Sequence, residues 1–132
     1  MFLNRRRLVF QQGGTAVQRL WQATINSWNG LAAVARSEAA FRLELVVLAV
    51  AIPLAFLLAD DGPERVLLIG SLVLVIVVEL INTAFEKLAD RITRKNDREI
   101  GRVKDIASAA VGVSLLLAAT IWLSTLLTHL PI

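Results

Sequence analysis

The sequence predicts an all-α membrane protein: three transmembrane helices preceded by an amphipathic helix lying on the membrane surface. Three observations predict it. First, 56% of the 132 residues are hydrophobic and only 19% are charged, against roughly 45–50% and 25% in a soluble domain. Second, three windows are almost free of charge. Third, the lysines and arginines gather on one side of those windows. The length suits one domain, expected over residues 15–132, and is too short for a Rossmann fold with a substrate domain, a TIM barrel or a protein-kinase fold. With no cysteine, zinc fingers, Fe–S clusters and thiol nucleophiles are excluded. A lone histidine, His129, cannot make a multi-histidine site. Any metal is therefore expected on carboxylates, which suits Mg²⁺ or Ca²⁺.

Residues 1–14 carry Arg5-Arg6-Arg7 and then Gln11-Gln12-Gly13-Gly14, and read as a flexible basic tail. They do not read as a cleaved signal, because the first apolar run starts only near residue 43. Over about 15–37, Trp21, Ile25, Trp28, Leu31, Ala32 and Ala35 recur at three- and four-residue steps. That spacing gives a helix with one apolar face, and its tryptophans favour the membrane interface.

The spans follow. Residues 45–59 (LVVLAVAIPLAFLLA), 66–85 (VLLIGSLVLVIVVELINTAF) and 106–130 (IASAAVGVSLLLAATIWLSTLLTHL) are apolar all round. A spanning helix needs about 20 such residues, and backbone in lipid must pair within its own segment. The expected spans are about 43–60, 65–87 and 104–129, with Pro53 a possible kink in the first. Thirteen of the fourteen cations lie before the first span or in the loop between the second and third. The exception is Arg65. The positive-inside rule then places the N-terminus and the 86–105 loop in the cytoplasm and the C-terminus outside. The net charge of +3 is thus a one-sided excess that suits anionic headgroups or a polyphosphate, and nucleic acid is not an expected partner.

Acids inside spans are costly and mark functional candidates. At about 100° per residue, Glu79, Asn82, Thr83, Glu86 and Asp90 share one stripe about 100° wide. It runs from the bilayer interior to the cytoplasmic surface. Glu38 and Arg42 lie one turn apart just before the first span, and Lys104, Asp105 and Ser108 lie where the third begins. Acids, a lysine and a serine at one membrane boundary suit phosphoryl transfer. Lys104, Arg19 and the basic residues of 91–102 can meet phosphates. Glu38 and Glu86 can hold Mg²⁺. Glu79 can act as base towards an alcohol. Neither a Walker A motif nor a protein-kinase glycine loop is present.

EAAFRLE at 38–44, ELINTAFEKLADRI at 79–92, GRVKDIASAAV at 101–111 and SWNGL at 27–31 resemble the signatures of the small prokaryotic integral-membrane diacylglycerol kinase family, over roughly residues 18–130. The resemblance implies a homotrimeric helical bundle with active sites shared between protomers. It implies ATP-dependent phosphorylation of diacylglycerol to phosphatidic acid at the inner membrane, with Mg²⁺ as cofactor. By position, Glu79 matches the general base, and Glu38 and Glu86 match ligands of metal and nucleotide phosphate. Lys104 and Asp105 match nucleotide contacts, as do Arg19, Asn26, Lys95, Asn96 and Asp97. Arg19, Ser27, Ala40, Phe41, Arg42, Leu43, Glu44, Glu79 and Ser108 match the lipid-substrate side, and Asn82 and Asp90 are supporting polar residues. Asn26 replaces a frequent aromatic and Gln22 a frequent basic residue. The family includes undecaprenol kinases with the same core motifs, so undecaprenol is the alternative acceptor. A more distant alternative is a small transporter or channel subunit with the Glu79–Glu86 stripe lining an ion path. That reading leaves EAAFR and GRVKD unexplained. A structural membrane protein, packed on Ala107, Ala110, Gly112, Ser114, Ala118 and Ala119, accounts for assembly but not for Glu79.

Overall fold

The computed structural model describes residues 14–131, so the basic tail expected over 1–14 lies, apart from Gly14, outside the described residues. Four helices and no strand are present among the described residues. The chain divides into two units, Met1–Ala33 and Val34–Ile132.

Helix α1 (Ala16–Ser37) occupies the first unit, and its last residues, from Val34, belong to the second. It starts at a reciprocal cap. Thr15 Oγ1 accepts from the Gln18 amide at 3.3 Å, and Gln18 Oε1 accepts from the Thr15 amide at 3.0 Å. Two otherwise orphaned amides are satisfied this way. Trp21 and Trp28 are exposed.

The second unit holds α2 (Ala39–Leu58), α3 (Gly62–Ile92) and α4 (Arg98–His129). All three are long and apolar enough to cross a membrane, and the chain is a multi-pass membrane protein. Helix α2 continues through Pro53. The helices extend beyond the apolar windows, because caps and not apolarity set their ends. Asp61 Oδ1 accepts from the Glu64 amide at 2.8 Å to start α3, with Pro63 in its first turn. Asp97 Oδ1 accepts from the Ile100 amide at 3.0 Å to start α4.

Helix α3 is central, packing on both α2 and α4. Its buried residues Leu68, Ser71, Val75, Glu79, Asn82 and Thr83 recur at helical spacing, so one stripe changes from apolar to polar along its length. The facing residues are small: Ala51, Ala55 and Ala59 near α2, and Ser114 and Ala118 on α4. Small side chains let helix backbones approach closely where the surrounding lipid offers no hydrophobic drive. One core cluster joins Ala55, Ala59 and Leu68 to Ile69, Ile121 and Trp122. Trp122 Nε1 donates to the Leu68 carbonyl at 3.0 Å and fixes α4 against α3. Larger apolar residues such as Leu57, Leu67, Val113 and Leu116 point outward, as lipid-facing side chains do.

Candidate active site

The α1–α2 junction is built by Arg42. Its Nη1 donates to the carbonyls of Ala35 and Arg36, at 2.8 and 3.2 Å, and so satisfies the unpaired end of α1. Glu38, the residue before α2, makes no side-chain cap bond to that helix. Its carboxylate instead accepts from Ser37 Oγ at 3.3 Å and pairs with Lys87 Nζ at 3.8 Å.

Glu79 is nearly enclosed, with 8% of its surface exposed, and Asn82 and Thr83 beside it are equally buried. Its electrostatic neighbours are Glu38 at the start of α2, Glu44 on α2 and Glu86 on α3. Four carboxylates therefore share one region at the α2–α3 contact. Asn82 Nδ2 donates to Glu86 Oε1 at 3.3 Å, which holds that carboxylate in place. Glu44 Oε2, Asn82 Oδ1 and Thr83 Oγ1 are buried without a hydrogen-bond partner. Buried oxygens of this kind normally find a donor or a cation. The donor set, hard oxygens with several carboxylates, fits a divalent cation such as Mg²⁺.

The stripe on α3 then reaches cations. Asp90 accepts from Lys104 Nζ at 2.5 Å and joins α3 to α4. An open cavity of about 570 Å³ lies at this end, lined by Lys87, Asp90, Arg91, Ile92, Thr93 and Arg94. Three cations and one acid give it a net positive lining, which suits phosphates. Two of its lining residues lead onward: Lys87 to Glu38, and Asp90 to Lys104. Lys87 stands out only in the folded chain, because its partner Glu38 lies 49 positions away at the α1–α2 junction.

The remaining sequence-predicted residues divide. Asp105, Ser108, Ala40, Arg42 and Leu43 are exposed near the starts of α4 and α2, whereas Phe41 is buried within the packing. Lys95 and Asn96 are exposed in the α3–α4 loop, and Asp97 there is committed to capping α4. Arg19, Asn26 and Ser27 are exposed on α1 in the first unit. Within that unit Ser27 Oγ donates to the Ala23 carbonyl at 2.9 Å, and Gln22 Nε2 donates to Asn26 Oδ1 at 3.1 Å. The two positions that depart from the family pattern thus bond to each other across one helical turn.

The family model described as prokaryotic diacylglycerol kinase matches residues 25–126. A diacylglycerol kinase of Escherichia coli K12 is 41% identical over 115 residues, 87% of this chain and 94% of its own length. One from Pseudomonas aeruginosa is 38% identical over 116 residues, 88% of this chain and 94% of its own. One from Haemophilus influenzae is 36% identical over 108 residues, 82% of this chain and 92% of its own.

Proposed function

The chain belongs to the prokaryotic diacylglycerol kinase family, and on that premise we propose that it transfers the γ-phosphoryl group of ATP to the free hydroxyl of diacylglycerol. The observation that carries this reading is Glu79, a carboxylate enclosed at bilayer depth whose helix leads to a cationic cavity. A lipid alcohol can approach from the bilayer and a polyphosphate from water. Few other chemistries need both.

Glu79 takes the proton of the lipid hydroxyl as its oxygen attacks the γ-phosphorus. The new bond is lipid oxygen to phosphorus, and the bond broken joins that phosphorus to the β-phosphate oxygen. ADP leaves and phosphatidic acid remains. Lys104, held by Asp90, and Lys87, Arg91 and Arg94 around the cavity meet the phosphate charge. Glu38 and Glu86 would hold Mg²⁺, which when bound would supply neutralisation of phosphate charge. Asn82 keeps Glu86 oriented. Arg19, Asn26 and Ser27, with Asp105 and the loop residues Lys95, Asn96 and Asp97, are assigned to nucleotide and lipid by their match to the family pattern, as are Ser108 and the 40–44 run. The same match carries the homotrimer with composite sites. The one-sided cations support an inner-membrane protein with a cytoplasmic N-terminus.

The test is ATP-dependent labelling of dioleoylglycerol and undecaprenol in mixed micelles. Mg²⁺-dependent phosphatidic acid as the main product supports the proposal. Faster turnover on undecaprenol moves the acceptor to the polyprenol, and no lipid product from folded protein overturns the kinase reading.

A further inference from the structure

The far end of the helices carries a second constellation. Asp60, in the α2–α3 turn, Glu64, in the first turn of α3, and His129, the last residue of α4, each offer one ligand atom, and these atoms lie within 4.8 Å of one another. Counting 1.5 Å per residue along α4, the cluster stands roughly 37 Å from Lys104. It therefore has no part in the phosphate site.

The hydrogen bonding around His129 indicates what the cluster takes. Nδ1 lies 2.8 Å from the Thr125 carbonyl, which can only accept, so Nδ1 carries a hydrogen. In the neutral ring the lone pair is then on Nε2, which faces Asp60 Oδ2 at 3.2 Å. Two acceptors that close need a cation between them, either a proton on the ring or a metal ion. A ring nitrogen fixed by an Nδ1–H bond to a backbone carbonyl is the arrangement that presents Nε2 to a metal. Glu64 is pinned as well, since its Oε2 accepts from the Asp60 amide at 2.8 Å and its backbone amide donates to Asp61 Oδ1 at 2.8 Å. Arg65, the nearest cation in sequence, forms no ion pair among the described residues and lies over the Phe56 ring at 5.2 Å. Among the described residues, neither carboxylate pairs with a lysine or arginine.

We propose that Asp60, Glu64 and His129 bind a divalent first-row transition ion of the Zn²⁺ type. One imidazole nitrogen and two carboxylate oxygens suit that ion, with a fourth position left for water. Bound there, it ties the last turn of α4 to the α2–α3 turn and stabilises the folded state by linkage.

The experiment uses the full chain without a histidine tag, treated with EDTA and held in detergent micelles with excess Mg²⁺ to occupy the carboxylates at the other end. Zn²⁺ is titrated by calorimetry, and Tm is followed alongside. The expected result is one Zn²⁺ per chain and a Tm that rises to a plateau. His129→Gln loses both effects while keeping its lipid-kinase activity in zinc-free Mg²⁺ buffer, and Glu64→Gln weakens binding. If His129→Gln does not fold, Asp60→Asn stands in for it and is expected to lose the same effects. No saturable Zn²⁺ binding by the wild type, or equal binding by wild type and the variant, overturns the site and leaves an imidazolium–carboxylate pair only.

Discussion

Replacing Glu79 with glutamine separates a chemical role from a structural one, because the two predict opposite signs. Glu79 is 8% exposed and has three carboxylate neighbours, Glu38, Glu44 and Glu86. A base positioned on a hydroxyl contributes about 10²- to 10⁴-fold in rate. Glutamine keeps the shape and removes the proton acceptor, so kcat falls by about that factor. Stability moves the other way. Removing one charge from a group of four relieves repulsion on the order of 1 kcal/mol and takes one buried anion out of the helix contact. Tm therefore stays level or rises. The assay is ADP release coupled to dioleoylglycerol phosphorylation in mixed micelles, with thermal unfolding of the same preparation. Turnover within about threefold of wild type removes Glu79 as the base. A loss of turnover matched by a fall in Tm refutes the electrostatic argument and makes Glu79 a packing residue.

Two further changes probe the surroundings. Lys104→Met removes the cation that Asp90 holds at 2.5 Å; a hydrogen bond to a charged group is worth about 1.5–3 kcal/mol, so KM for ATP rises about tenfold to a hundredfold while KM for the lipid is unchanged, and an unchanged KM for ATP removes Lys104 from the phosphates. Trp122→Phe loses the bond to the Leu68 carbonyl, which still accepts from Ser71 Oγ at 2.8 Å, so the cost is a modest ~1–2 kcal/mol, read as a lower Tm with kcat intact; a cost above about 4 kcal/mol would mean that Trp122 holds more of the helix contact than this bond.

The three spans were legible because a bilayer imposes a length and a composition, and 45–59, 66–85 and 106–130 meet both. Which face of each helix turns inward was not. In water an amphipathic helix shows its buried face by contrast with a polar one, but in lipid both faces are apolar. The signal that survives is side-chain size. Ala51, Ala55, Ser114 and Ala118 are buried while the leucines and valines around them face outward. Helix starts were not read at Asp61 and Asp97, whose side chains cap α3 and α4 ahead of the spans expected from about 65 and 104. Apolar windows fell short of the helix starts at Gly62 and Arg98, because the caps Asp61 and Asp97 begin each helix ahead of its apolar run.

At the site, helical spacing was enough to join Glu79, Asn82, Thr83 and Glu86, since neighbours on one helix face follow from 100° per residue. Contacts between helices carried no such signal. Lys87 meets Glu38 and Lys104 meets Asp90 only because α3 packs on both of its neighbours. Glu44 shows why this matters. On α2 it is one more acid at a membrane boundary, and in the fold its Oε2 is buried, unpartnered and next to Glu79. A helix contact that gathers four carboxylates is costly unless cations meet them. Lys87 is the one cation paired to this group among the described residues, at 3.8 Å and half exposed, and so weakly. The folded chain therefore carries an uncompensated negative charge beside a cationic cavity. Under the proposed function a metal–nucleotide complex would neutralise both at once: Glu38 and Glu86 would hold the metal, and Lys87, Arg91 and Arg94 would meet the phosphates.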